Sequence, residues 1–151
     1  IRLPNVFGPR ATINSSEFTF CNFFIGLVLQ KKEITIYGEG RQLRNIIYID
    51  DCVDALVCVA LSENSNGEVF FAVSDYHCSV NDFATATIQT FNSGSIRYIP
   101  WPKERESLEF GDAIISNKKI KTLLGWSPKF NLEQGLLETK EYYISCLKEY
   151  I

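Results

Sequence analysis

The chain has 151 residues, 46% of them hydrophobic and 22% charged, and a net charge of −3. That is one domain's worth of polypeptide with enough apolar content for a core, and its charge gives no general attraction to nucleic acid or to an acidic membrane. The cysteines (Cys21, Cys52, Cys58, Cys78, Cys146) are odd in number and form no C-x-x-C pair, and His77 is the single histidine. This argues against a disulfide framework and a metal site, and fits buried thiols in a reducing cytoplasm.

Taken in order, Ile1 to Val6 reads as a strand that ends at the Gly8-Pro9 turn signal. Residues from about 16 to 31 are apolar nearly all round, which predicts a largely buried helix with Phe20, Phe24, Leu27 and Val28 on one face. This window is too short and too interrupted by Thr19 and Asn22 to span a bilayer, and no secretory signal is visible. Ile34 to Tyr37 and Asn45 to Ile49 read as short strands on either side of a Gly-Glu-Gly turn. Asp50 or Asp51 is expected to cap the next helix, whose Val53, Leu56, Val57, Ala60 and Leu61 have the spacing of an inward face.

Glu63 to Gly67 is a polar loop and Glu68 to Val73 a strand candidate. Ser79-Val80-Asn81-Asp82 has the form of a capping box, with Phe83, Ala84, Ile88 and Phe91 behind it on a helix face. Ile96 to Ile99 reads as a strand and Pro100 to Gly111 as an irregular loop. Ser116 is expected to cap a short helix that turns Ile120, Leu123 and Leu124 inward and stops at Gly125. Asn131 is expected to cap the last helix, with Leu132, Leu136, Tyr143 and Leu147 facing inward. The alternation of strands and helices indicates an α/β class.

Chemistry concentrates in Ile34 to Leu56. Arg41 and Arg44 follow the tight turn, and a guanidinium offers a planar, permanently charged fork that suits phosphate. A solvated arginine, or a surface ion pair with Glu39, is the alternative and weighs more heavily for Arg41 than for Arg44. Asn5, at the carboxyl end of a predicted strand, lies where α/β proteins bind ligands, or else it forms a turn. Arg105 sits in a charged loop run, Lys103-Glu104-Arg105, that can bind or simply be solvated. His77 reads as a loop histidine, and Asp50, Asp51 and Asp54 as first-turn carboxylates rather than a catalytic pair. The chain contains no G-x-G-x-x-G and no Y-x-x-x-K.

These segments resemble the carboxyl-terminal part of extended short-chain dehydrogenases/reductases, specifically the NAD-dependent nucleotide-sugar epimerases and dehydratases. R-L-P-N-V-F-G-P-R, I-T-I-Y-G-E-G-R-Q-L-R-N-I-I-Y-I-D-D-C-V-D-A, G-E-V-F-F-A-V-S, E-F-G-D and L-L-G-W-S-P-K-F-N-L-E-Q-G-L-L-E-T follow in family order. The resemblance implies the last Rossmann strands interleaved with a small α+β substrate-binding region, all of residues 1–151 forming one segment that grips a nucleotide-diphosphate sugar. It implies NAD as cofactor, bound mainly by a preceding amino-terminal portion, a homodimeric parent and a cytoplasmic location.

Residue by residue, the resemblance makes Asn5 and Arg44 diphosphate contacts, Arg105 a second arginine there, Ile36 and Tyr37 the border of the nucleobase, and the Val6 backbone a neighbour of the nicotinamide. Asn45 stands where many relatives have aspartate. The proton- and hydride-transfer groups belong upstream in the family, so no catalytic residue is expected in this chain. The absence of methionine and the opening on Ile1-Arg2-Leu3 read as a fragment, marginally stable or self-associating when isolated. Within the family a UDP-glucose 4-epimerase-like parent is favoured. The alternatives are a dTDP-glucose 4,6-dehydratase-like parent, a non-catalytic nucleotide-sugar binding module or split subunit, and a degenerate fragment.

Overall fold

A computed structural model describes residues 1–107 and 109–151. Its elements are β1 (Asn5–Phe7), α1 (Phe20–Leu29), β2 (Glu33–Tyr37), β3 (Leu43–Tyr48), α2 (Ile49–Leu61), β4 (His77–Ser79), α3 (Val80–Phe91), β5 (Ser95–Ile99), α4 (Lys103–Glu106), α5 (Lys118–Leu124) and α6 (Leu132–Cys146). β3 is the middle of one sheet, parallel to β1 (Asn5 opposite Ile46) and antiparallel to β4 (Arg44 opposite Cys78). β2 and β5 form a second, parallel pair running from Glu33 opposite Ser95 to Tyr37 opposite Ile99.

β3 is buried on both faces over its second half, which is why Ile46, Ile47 and Tyr48 follow as a continuous apolar run rather than a strict alternation. Ile46 and Tyr48 enter the larger core with Phe7, Phe24, Ile25, Val28, Phe83, Leu136 and Tyr143. Ile47 points the other way, into a smaller core with Cys52, Ala55, Phe70, Ala72, Ile120 and Trp126. Each buried Ile, Leu, Val or Phe among them contributes about 1.5–3 kcal/mol relative to exposure. Gly26 lets α1 lie against the 13–14 segment, since a Cβ there would overlap the Ile13 carbonyl.

Local signals in the sequence are realised where the partners are close in the chain. Ser79 Oγ accepts the Asp82 N–H at 2.9 Å and the Asp82 carboxylate accepts the Ser79 N–H at 3.3 Å. Asn131 and Gln134 form the equivalent box on α6, and Gly125 ends α5 with φ 68°. α1 begins later than expected, at Phe20, with Thr19 Oγ1 accepting the Cys21 N–H.

Other expectations are corrected. Ile1 to Val6 is not one strand: Arg2 makes an isolated bridge to Phe71, and the ladder starts at Asn5. Glu68 to Val73 is likewise no strand, because its pairing stops at that bridge, although Phe70, Ala72 and Val73 are buried. His77 lies on a strand, not in a loop, and its Nε2 accepts the Ile115 N–H at 3.0 Å. The 100–111 loop contains the α4 turn; the part of that expectation at Leu108 lies outside the described residues. Ser116 is not the cap of α5. Asn117 occupies that position, and its amide donates to the Val73 carbonyl and Asp75.

The α2 expectation is overturned twice. Neither Asp50 nor Asp51 caps the helix; Tyr48 holds the cap position without a side-chain bond, and the buried Asp51 carboxylate instead accepts the Lys129 and Phe130 N–H groups at 2.8 and 3.0 Å. The predicted inward face is the outward one. Cys52 and Ala55 are buried with Cys58 and Val59 beside them, while Val57 is 50% and Leu61 82% exposed. Replacing Val57 and Leu61 together by lysine is therefore expected to change unfolding free energy by no more than about 1 kcal/mol, as two surface substitutions do. Loss of several kcal/mol in a denaturant titration would restore the inward reading.

Candidate functional site

β2 and β5 run parallel in register, so the residues just past their carboxyl ends emerge side by side. Tyr37 ends β2, and Trp101 follows β5 by two residues; their rings lie 5.2 Å apart at 35°. Gly38, at φ 61°, makes this approach possible, because a Cβ there would stand 2.8 Å from Trp101 Nε1. Arg105, carried on α4, places its guanidinium 5.6 Å from the Tyr37 ring centroid.

A cleft of about 600 Å³ opens beside this stack. Its floor is aromatic and aliphatic, from Phe20, Phe23, Phe24 and Leu27 of α1 and Ile36 of β2. Its rim carries Tyr37, Trp101, Gln42, Thr35 and the charged groups Arg44, Arg105, Glu33 and Glu109. An apolar lining with a few convergent polar groups is the form of a small-molecule site.

Arg44 is not a free cation. Its Nη2 donates to Glu109 Oε1 at 2.8 Å, its Nη1 to the Leu43 and Gly111 carbonyls at 2.9 and 2.6 Å, and its Cζ lies 4.6 Å from the Phe110 ring centroid. The pair is largely enclosed, with Arg44 12% and Glu109 22% exposed. Leu43 N–H to Asp112 and Ala113 N–H to the Leu43 carbonyl complete the attachment of residues 109–113 to the start of β3.

Arg41 pairs with Glu39 at 2.7 Å on the open surface, with 82% of its side chain exposed, which is the alternative weighed for it. The depression it borders, with Gly38, Asn81 and Tyr98, is of similar volume, about 650 Å³, but lacks the enclosed arginine and the paired rings. The 600 Å³ cleft is the better candidate.

Four of the sequence-predicted residues, Ile36, Tyr37, Arg44 and Arg105, thus meet around one cleft. Asn5 and Val6 lie on β1, outside its lining. The Asn5 amide donates to the Asn45 carbonyl, and the Val6 carbonyl accepts the Asn22 amide. Sequence reasoning missed Trp101, Glu109 and Phe110. A tryptophan two residues beyond a strand was the available signal for the first; nothing local marked the other two.

Ionisable groups in and against the larger core are pushed away from reactivity. Burial drives the Cys78 thiol up to about 12, with Asp82 and Glu133 adding to it, so it is protonated at neutral pH. Burial likewise raises the phenols of Tyr48 and Tyr143 to about 12. Among the described residues no group of His, Cys, Asp and Glu could hold a metal ion, and no helix is long and apolar enough to cross a membrane.

Residues 1–72 match the NAD dependent epimerase/dehydratase family. UDP-glucuronic acid decarboxylase 1 of Xenopus tropicalis is 32% identical over 143 residues, 94% of this chain and 32% of that protein. The chain is thus similar to the NAD dependent epimerase/dehydratase family, by that match over residues 1–72 and by this relative over nearly its whole length. UDP-N-acetyl-alpha-D-glucosaminuronate decarboxylase of Bacillus cytotoxicus is 30% identical, over 95% of this chain and 45% of its own length.

Among solved structures, the UDP-glucose 4-epimerase of Thermotoga maritima with UDP-glucose superposes with a TM-score of 0.84 and 31% identity, across 97% of this chain and 45% of that one. The α/β fold is thus that of an extended short-chain dehydrogenase/reductase, and the chain spans less than half the length of these relatives.

NAD serves the family. The Val6 carbonyl is engaged by Asn22 and its side chain packs on the smaller core. No step through NAD is assigned to this chain's residues.

Proposed function

We propose that residues 1–151 form the substrate-gripping segment of a nucleotide-sugar epimerase or dehydratase, with a UDP-sugar as ligand and a UDP-glucose 4-epimerase-like parent. The observation that carries this is the convergence of the Tyr37–Trp101 pair with Arg44 and Arg105 on one cleft. Aromatic faces suit a flat base, and two guanidinium groups suit a diphosphate. Asn5 and Val6 enter through the family resemblance alone, as neighbours of the diphosphate and of the nicotinamide. Proton and hydride transfer are assigned to none of this chain's residues.

A decarboxylase-like parent is the second reading, favoured by the 32% and 30% identities to two UDP-uronate decarboxylases. Both readings share the nucleotide and differ in the sugar. Titration calorimetry with UDP-glucose, UDP-glucuronate, UDP and uridine separates them. Binding of UDP-glucose at least as tight as UDP-glucuronate supports the epimerase-like reading. A clear preference for the uronate moves the assignment to a decarboxylase, and no heat from any nucleotide overturns the proposal.

A further inference from the structure

We infer that Glu109 is a built-in competitor for the diphosphate, an affinity-setting residue whose carboxylate engages the Nη2 group of Arg44 that the ligand needs. The inference rests on the UDP-sugar reading of the cleft. Arg44 has five N–H donors. Three are taken within the chain, by Leu43, Gly111 and Glu109. What remains is Nε–H and one Nη2–H; with both Nη1 hydrogens taken, a paired grip on phosphate has to include Nη2, the nitrogen that Glu109 already engages.

Glu109 is held there and not merely nearby: the same Oε1 that meets Arg44 at 2.8 Å also accepts the Gly111 N–H at 2.9 Å. The pair is largely shielded from solvent, so the charge is only partly screened. The remaining charges on the cleft are Arg105 and Glu33, and Glu33 is itself turned to Arg97 at 2.9 Å. With Glu33 paired to Arg97, Arg44 and Arg105 against Glu109 leave the cleft one net positive charge, where two would stand without Glu109. A diphosphate that reaches Arg44 lies against this carboxylate or displaces it, whereas an uncharged nucleoside meets no such opposition.

Glu109→Gln keeps the shape and an oxygen that can accept the Gly111 N–H but removes the charge. In the purified protein it is expected to tighten UDP binding at least about tenfold, the effect of one unit charge a few ångströms from an ionic ligand at a half-shielded site. Uridine affinity is expected to stay the same, and the UDP gain to shrink as salt is raised. Glu109→Ala, checked for an unchanged melting transition, must shift UDP in the same direction.

If the wild type binds UDP and both variants bind it no tighter, Glu109 is a structural partner of Arg44 and the inference is wrong while the UDP-sugar reading stands. If neither wild type nor variants bind UDP, the reading itself fails and takes the inference with it.

Discussion

Asn45→Leu is expected to destabilise the protein by about 3–5 kcal/mol. Asn45 is 1% exposed and stands between β3 and the chain that leads into β4. Its Oδ1 accepts the Ser74 N–H at 2.9 Å and the Ser74 hydroxyl at 3.2 Å, and its Nδ2 donates to the Ser74 and Tyr76 carbonyls at 3.1 Å. Leucine has the same branched shape with bulkier methyl ends, so no cavity arises. The loss comes from backbone groups left without partners in a dry interior.

Ser74 Oγ still reaches the Tyr76 carbonyl at 2.8 Å, which leaves the Ser74 N–H and carbonyl as the orphans. Each buried unsatisfied group costs about 1–3 kcal/mol. Urea titration measures the difference, and a change below 1 kcal/mol would mean that water reaches the site. Asn45 is not part of the cleft lining, so affinity for a cleft ligand measured well below the melting transition is expected to be unchanged.

Arg44→Ala is expected to weaken UDP-sugar binding by about 2–5 kcal/mol, the range for removing one member of a desolvated charge pair. It also removes two hydrogen bonds that fasten residues 109–111 to β3 and leaves Glu109 on the cleft rim without its cation. Stability therefore falls as well, and affinity has to be read at a temperature where the variant is fully folded. Arg44→Lys retains the charge without the planar fork, and an intermediate affinity is expected. Calorimetry separates the roles: an Arg44→Ala variant that melts lower but binds UDP-glucose like the wild type would reduce Arg44 to a loop anchor.

The residues that were legible in sequence are those whose partners are near in the chain. The capping boxes at Ser79 and Asn131, the stop at Gly125 and the β2 and β3 runs depend on neighbours within a few positions. α2 was misread because Val53, Leu56, Val57 and Leu61 mark an apolar stripe whatever it faces. Which side meets the core is decided by Ile47, Phe70 and Ile120, brought in from elsewhere in the sequence. Asp51 failed as a cap for a related reason: its acceptors' partners, the Lys129 and Phe130 N–H groups, lie 78 and 79 positions away.

At the site, the Gly-Glu-Gly turn and Arg44 were visible because special backbone geometry and fixed charge are written in residue type. Trp101 and Glu109 were not. The first depends on the parallel register of β2 with β5, and the second on the fold of residues 109–113 back onto Leu43 and Arg44. A strand read alone carries no register, and a glutamate in a charged loop looks solvated until its partner is placed.

The central claim is that a nucleotide diphosphate enters the cleft beside the Tyr37–Trp101 pair, and Trp101 fluorescence tests it most directly. The protein has two tryptophans, and Trp126 is buried in the smaller core, so the difference between the wild type and Trp101→Phe isolates the cleft signal. UDP-glucose is expected to change the wild-type emission saturably, with the dissociation constant found by calorimetry, and to leave Trp101→Phe unchanged. Calorimetric binding of UDP-glucose with no change in Trp101 emission would place the ligand elsewhere and contradict the account.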